Sequence, residues 1–98
     1  MAYKLIWAPS ARLDLKEIAS YIADSRPEAS IRFVKSVFRS VEHLIDFPKA
    51  GRIVPEFGDP CIREVVRKPC RIVYRIKSKK SIIEVVRVWH AARGIPRI

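Results

Sequence analysis

The segment from Cys61 to His90 constrains the fold more than any other part of this chain. It reads CIREVVRKPCRIVYRIKSKKSIIEVVRVWH, with three short runs rich in Val, Ile and Tyr separated by two basic turns. Branched and aromatic residues of this kind favour strands, because they pack well on a pleated surface. Side chains at alternate positions of a strand point to the same face. We therefore expect a small antiparallel sheet with an apolar face that needs covering and a basic face that bears Arg63, Arg71, Arg75 and Arg87.

The first 25 residues predict a strand followed by a helix. The run YKLIW, from Tyr3 to Trp7, alternates so that its first, third and fifth side chains share one face. Pro9-Ser10 ends this strand, and Ser10 is a suitable helix N-cap. Apolar residues then recur at helical spacing from about residue 11 to residue 23, with Asp14 on the outer side of the predicted helix.

A second helix and a loop lead into the sheet. Pro27 suits the first turn of a helix that runs to about Asp46, and the short connection makes the two helices an antiparallel hairpin. Residues 47–60, FPKAGRIVPEFGDP, contain three prolines and two glycines, which predict a loop with some ordered turns rather than a helix or a strand. The three strands then span about Ile62–Arg67, Arg71–Ile76 and Ile82–Trp89, with a turn over residues 77–81.

The resulting order, β-α-α-β-β-β, predicts an α+β fold in which a helical hairpin packs on a small antiparallel sheet. With 98 residues, the chain is long enough for one hydrophobic core, so we expect a single domain over residues 1–98.

The charge of the chain is uneven. Residues 1–50 carry 8 basic and 6 acidic side chains, or +2, whereas residues 51–98 carry 12 and 4, or +8. Most of the excess positive charge therefore lies in the sheet half. Such a balance indicates an acidic partner, either nucleic acid or an acidic protein segment, although a basic surface that only aids solubility is the simpler alternative.

The sequence gives no sign of a metal, a cofactor or a membrane span. Cys61 and Cys70 are not spaced as a metal site, and His43 lies far from them on a predicted helix. The chain begins with a strand-like MAYKLIW rather than a signal peptide, so we expect reduced thiols in a cytoplasmic protein. No apolar run approaches the roughly 20 residues that a membrane span needs.

Several segments together resemble the ParE branch of the RelE/ParE toxin superfamily, the toxins of type II toxin–antitoxin (plasmid stabilisation) modules. They include W-x-P-x-A-x-x-D-L from Trp7, F-P-K-A-G-R from Phe47, Y-R-I from Tyr74 and V-W-H-A-A-R from Val88. These segments follow the family order over nearly the whole chain. The resemblance implies one toxin domain of RelE/ParE-like fold, without a cofactor.

Two modes of action occur in this superfamily. ParE-like toxins poison DNA gyrase without chemistry of their own, whereas RelE-like toxins cut messenger RNA on the ribosome. By resemblance, a ribonuclease would use His90, Arg71 and Glu56 as its catalytic residues, and a ParE-like toxin would have none. The ParE-like mode is favoured because His90 occurs in both branches, no tyrosine follows it, and the lysine cluster of RelE is reduced here to Lys49 and Arg52. A non-toxic nucleic-acid-binding module is a further alternative.

The resemblance also implies the partners. A ParD-like antitoxin, with a disordered C-terminal segment that folds on the toxin, would neutralise the protein, and operator DNA would be bound only through the antitoxin. DNA gyrase is the expected target, with the ribosome and its messenger RNA as the alternative. The residues we expect to bind a target or the antitoxin are Arg52, Arg63, Arg71, Arg75, Arg87, Trp89, His90 and Arg93.

Overall fold

Two helices lie on one face of a five-stranded sheet in a computed structural model, which describes residues 3–98. The helices are α1 and α2, and the strands are β1 to β5 in chain order. Two 3₁₀ turns flank β5, at Ser78–Lys80 and Ala91–Arg93. The bounds are β1 Lys4–Trp7, α1 Pro9–Ser25, α2 Pro27–Asp46, β2 Arg52–Ile53, β3 Ile62–Arg67, β4 Cys70–Lys77 and β5 Ile82–His90.

The sheet has the strand order β1-β5-β4-β3-β2. The predicted α+β class, with a helical hairpin between the first strand and the later ones, is confirmed. The sheet is mixed rather than antiparallel throughout, because β1 runs parallel to β5. The segment predicted to be an irregular loop also contributes the two-residue strand β2, which pairs with β3.

The start of α1 differs from the prediction. The helix begins at Pro9 with Ala8 at the N-cap position, and no side chain of the part of the chain that the structure describes caps it. Ser10, the predicted cap, instead donates its hydroxyl to the carbonyl oxygen of Val86 at 2.8 Å. The break between the helices is as predicted, since Pro27 occupies the first turn of α2 and the acidic Glu28 follows it.

The core lies between the helices and the sheet. Val37, Val41 and Leu44 of α2 are fully buried and pack with Ala11 of α1 against residues of β4 and β5. Burial of each such Val or Leu side chain contributes about 1.5–3 kcal/mol relative to exposure. Tyr3, Leu5 and Trp7, which were predicted to share one face, all pack against this cluster. The strand residues in the cluster are Ile72, Tyr74, Ile76, Ile83 and Val85.

A bulge in β5 sets the orientation of its second half. Val73 pairs with Arg87 and Tyr74 with Val85, so Val86 is an extra residue between them. Val86 packs in a second buried cluster with Val54, Ile62 and Val73, on the face of the sheet away from the helices.

Arg63 departs from the predicted arginine face. It pairs across the strands with Tyr74, whose side chain belongs to the core under the helices. Directly opposed residues share a face of the sheet. Arg63 therefore lies on the helix side, away from Arg71 and Arg75.

No helix within residues 3–98 is both long and apolar enough to cross a membrane.

Candidate functional site

The face of the sheet turned away from the helices, called the open face below, carries most of the polar side chains singled out from the sequence. Its register follows from the strand pairs Arg52–Glu64, Glu64–Val73 and Val73–Arg87, and from the neighbouring pair Arg71–Trp89. The open face therefore bears Arg52, Glu64, Arg71, Val73, Arg75, Glu84, Arg87 and Trp89.

A buried carboxylate organises one end of the open face. Glu64 is 1% exposed, and its two oxygens accept from Nε of Arg52 at 2.6 Å and from Nε of Arg71. The other two nitrogens of the Arg71 guanidinium donate to the carboxylate of Glu56, at 2.8 and 2.7 Å. Two arginines and two carboxylates thus form one network with no net charge.

This network removes Glu56 from proton transfer near neutral pH. The hydrogen bonds from Arg71 are the largest cause that lowers the pKa of Glu56 to about 2. The two carboxylates raise the pKa of Arg71 above its ordinary value. An effective general acid or base has a pKa near the working pH, so neither group suits that role in this arrangement.

His90 lies apart from this network. It pairs with Cys70, one position along from the Arg71–Trp89 pair, and neighbouring positions of a strand point to opposite faces. Its Nδ1 accepts a hydrogen bond from the backbone N–H of Ala92 at 3.1 Å, which caps the turn after β5. Of the three candidate catalytic residues, the structure brings together Arg71 and Glu56 but places His90 on the other face.

The guanidinium of Arg87 is held by Asp14, which was predicted to lie on the outer side of α1. Asp14 is only 6% exposed, and its carboxylate accepts from Nε and Nη2 of Arg87 at 2.7 Å each. One of its oxygens also accepts from the backbone N–H of Val88 at 3.1 Å. The prediction of an exposed Asp14 is therefore wrong.

Trp89 is covered rather than presented to solvent. It is 2% exposed, and the guanidinium carbons of Arg87 and Arg93 lie 4.8 and 4.2 Å from its ring centroid. Its Nε1 donates to the carbonyl oxygen of Gly94 at 3.1 Å. Trp89 thereby ties the C-terminal segment, residues 91–98, to the open face.

The remaining predicted arginines have different surroundings. Arg63 donates through Nε to the carbonyl of Pro60 and through Nη1 to that of Gly51, at 2.9 and 3.0 Å, so it holds the loop before β3. Arg75 is half-buried and has no ion pair or side-chain hydrogen bond with any residue from 3 to 98. Arg93 has no carboxylate partner in that range either and rests on Trp89.

Sequence reasoning missed the role of Tyr74. Its buried hydroxyl donates to the carbonyl of Pro48 at 2.6 Å and accepts from the N–H of Gly51 at 3.0 Å. A Cβ built on Gly51 would lie 2.6 Å from both the hydroxyl and the carbonyl oxygen of Glu64. The hydroxyl of Tyr74 therefore closes the loop formed by the F-P-K-A-G-R segment. The sequence analysis singled out this segment and the Y-R-I segment that begins at Tyr74, but it did not predict the contact between them.

The helical hairpin carries an apolar groove of about 490 Å³. Trp7, Leu15 and Phe38 form its walls, and Arg12 and Lys16 line its rim. The rings of Trp7 and Phe38 are 5.4 Å apart, and Phe38 remains 42% exposed. This groove lies beside β1, which is an edge strand of the sheet.

Within residues 3–98, no cluster of His, Cys, Asp and Glu side chains could hold a metal ion. Cys61 is exposed, Cys70 is buried, and both are free thiols. Burial is the main cause that raises the pKa of Cys70 to about 11, so this thiol is protonated and unreactive near neutral pH.

Comparison with known proteins identifies the family. The family described as "ParE toxin of type II toxin-antitoxin system, parDE" matches residues 5–95. The protein named "Putative toxin Y4kP" of Sinorhizobium fredii (strain NBRC 101917 / NGR234) is 30% identical over 97 residues, which cover 97% of this chain and 95% of that protein.

Two solved structures share the fold. The chromosomal ParDE TA system from P. aeruginosa has a TM-score of 0.74 and 22% identity, over 91% of this chain and 96% of that chain. A mutant of E. coli toxin RelE in complex with an antitoxin RelBc peptide has a TM-score of 0.66 and 17% identity, over 100% of this chain and 99% of that one. The match over residues 5–95 shows that the chain belongs to the ParE toxin family of type II toxin–antitoxin modules.

Proposed function

We propose that this toxin inhibits DNA gyrase by binding, without chemistry of its own, and that it acts in the cytoplasm until a ParD-like antitoxin neutralises it. The observation that carries the proposal is the mutual engagement of Arg71 and Glu56 by two hydrogen bonds. A RelE-like ribonuclease would use Arg71 to hold the phosphate and Glu56 to transfer a proton, but in this protein the two groups neutralise each other.

Cleavage of RNA needs an activated 2′-hydroxyl, a proton for the leaving oxygen and a positive clamp on the phosphate. Glu56, with a pKa of about 2, is a weak base near neutral pH. His90 lies on the opposite face of the sheet from Arg71. The low pKa of Glu56 and the placement of His90 on the opposite face from Arg71 favour a toxin that acts by binding its target rather than by catalysis. The resemblance to ParE-like toxins points to DNA gyrase as that target.

The antitoxin is expected to bind the helical side of the protein. The groove with walls of Trp7, Leu15 and Phe38 suits the apolar face of an amphipathic helix, and its rim carries Arg12 and Lys16. The free side of β1 offers an edge for strand addition. A net charge of +10 would also attract an acidic antitoxin segment and speed its capture. Operator DNA would then be bound through the antitoxin.

A supercoiling assay tests the proposal. Purified toxin, DNA gyrase and relaxed plasmid are combined with and without antitoxin. We expect loss of supercoiling or trapped cleaved DNA, and recovery when antitoxin is added. Gyrase that is unaffected by the toxin would contradict the proposal.

A matched assay of ribosome-bound messenger RNA examines the alternative. The ribonuclease alternative requires cleavage by the wild type and loss of cleavage in Glu56→Gln. A gyrase inhibitor should give no cleavage, and Glu56→Gln should still inhibit gyrase because Glu56 serves no target contact in the proposal.

A further inference from the structure

A polar cleft of about 350 Å³ opens on the open face, between the start of α1, the middle of β4 and β5, and the C-terminal segment. Its wall is formed by Ser10, Arg75, Glu84, Val86, Arg87, Arg97 and Ile98. Three of these seven side chains are arginines, and two, Val86 and Ile98, are apolar. The cleft therefore suits a charged group rather than an apolar side chain.

Two of the charges in the wall are already compensated. Arg87 is paired with Asp14, and the carboxylate of Glu84 lies 3.2 Å from Nζ of Lys77. Arg75 stands directly opposite Glu84 across the strands, yet within residues 3–98 its guanidinium has no carboxylate within ion-pair distance. The side chain of Arg97 likewise has no ion pair in that range. Two cationic groups of the wall, Arg75 and Arg97, are thus in no ion pair with any residue from 3 to 98, and the carboxylate of Glu84 is already paired with Lys77.

The start of α1 adds a second attraction for anions. This helix has 17 residues, and the positive end of its dipole lies at Pro9 and Ser10. The N–H groups of Ala11 and Arg12 donate to the carbonyl of Ala8. The N–H of Ser10 has no backbone acceptor within the described part of the chain. Backbone N–H groups at the start of a helix are frequent ligands of phosphate.

We propose that this cleft binds a phosphate group, which in the target complex belongs to the backbone of DNA. Arginine guanidinium groups match phosphate oxygens in geometry and stay charged at every working pH. An acidic peptide is the less suitable occupant, because its affinity needs apolar anchors. This wall offers only Val86 and Ile98 for that purpose, whereas the groove between α1 and α2 has the larger apolar side chains Trp7, Leu15 and Phe38. Only the choice of DNA as the source of the phosphate rests on the proposed function.

The first test uses the full-length toxin alone, titrated with inorganic phosphate and followed by amide ¹⁵N–¹H NMR. We expect saturable shifts at the amides of Ser10, Arg75 and Arg97, and loss of those shifts in Arg75→Gln. The control is Arg32→Gln, which removes an equal charge from an exposed position on α2 and should retain the response. Arg97→Gln, at an exposed site, is the second variant should Arg75→Gln unfold.

The second test measures the affinity of the toxin for a short DNA duplex by fluorescence anisotropy at several salt concentrations. Loss of one phosphate contact should weaken binding several-fold and reduce the slope of log K against log salt by about 1 in Arg75→Gln. Arg32→Gln should match the wild type. Both tests omit gyrase, so their failure is distinct from a failure of gyrase inhibition.

Three results would overturn the inference. The first is phosphate shifts that do not saturate or that persist unchanged in Arg75→Gln. The second is saturable phosphate binding together with a DNA affinity that Arg75→Gln leaves unaltered, which would reject DNA as the source. The third is a substitution that weakens antitoxin capture but neither phosphate nor DNA binding, which would assign the cleft to carboxylates.

Discussion

The carboxylate of Asp14 on α1 receives two donors from the guanidinium of Arg87 on β5, each at 2.7 Å. This contact stabilises β5 at a point beyond the end of its pairing with β1. β1 pairs with β5 only as far as the Trp7–Val85 pair, so no strand formed by residues 3–98 lies on that side of the second half of β5. Asp14 also accepts from the N–H of Val88 and thus takes the place of the absent strand.

Replacement of Asp14 by alanine should lower the free energy of unfolding by about 3–5 kcal/mol, the usual cost of leaving one member of a buried ion pair unpaired. The lost acceptor for Val88 N–H is part of that cost. Urea denaturation followed by circular dichroism measures the change. Asp24→Ala, at an exposed position on the same helix, should shift the midpoint little. Equal effects of the two substitutions would contradict the assigned role of Asp14.

Replacement of Gly51 by alanine should destabilise the protein by about 1–3 kcal/mol or more, because the new Cβ would overlap rigid neighbours. Those neighbours are the carbonyl oxygen of Glu64 and the ring and hydroxyl of Tyr74, all within 2.7 Å. Gly58→Ala is the matched control. Gly58 has a φ of +62°, so alanine is strained there by about 1 kcal/mol, but no other atom of the described chain, residues 3–98, lies within 4 Å of its Cβ. A thermal melt in which Gly58→Ala is the more damaging change would refute this explanation of Gly51.

The helices, the main strands and their order along the chain could be predicted from the sequence. Each of these elements depends on a repeating pattern of apolar residues within one short segment. Contacts between distant stretches were not visible in the same way. Asp14 falls on the polar side of its helix by spacing alone, and only the early end of β1 creates a place for its carboxylate. Its burial is a consequence of topology rather than of helical period.

The candidate site was predicted as a set of residue types but not as an arrangement. Arg71 and Glu56 were both singled out, yet their pairing depends on how the loop after β2 folds over β4. Arg63 was assigned to the wrong face because its orientation follows from its pairing with Tyr74.

Arg71 and Arg87 are each held in an ion pair, so a charge reversal at either residue would break that pair in addition to any contact with a partner. Arg75 and Arg97 are therefore the better positions at which to test binding.

The stability of the protein should depend on the protonation of Glu56 at acid pH. Its folded-state pKa of about 2 lies below the ordinary value of about 4.3, so its carboxylate stabilises the fold above that ordinary value. The contribution is lost as the pH falls from about 4.3 towards about 2. Urea midpoints at several pH values should therefore fall less steeply in Glu56→Gln than in the wild type. Glu42→Gln, at an exposed site on α2, should follow the wild type. Identical slopes for all three proteins would exclude this coupling.

Removal of residues 91–98 should abolish toxicity but leave the fold intact. Every strand is complete at His90, and the apolar groove on the helices contains no residue of the C-terminal segment. The truncation removes the Gly94 acceptor of Trp89, the Arg97 carbonyl that accepts from Arg87, and the guanidinium of Arg93 above the Trp89 ring. These contacts together should contribute about 1–3 kcal/mol to stability, less than is needed to unfold most domains.

Growth after induction measures toxicity, and capture of the antitoxin by the truncated protein provides the control for folding. We expect cells to grow and the antitoxin still to bind, because the helical hairpin is intact. A truncated protein that still stops growth would show that the C-terminal segment is dispensable for the target. Truncation that also eliminated antitoxin binding would instead mean that the contacts of Trp89 hold the whole sheet together, and then the segment would be structural rather than a surface for the target.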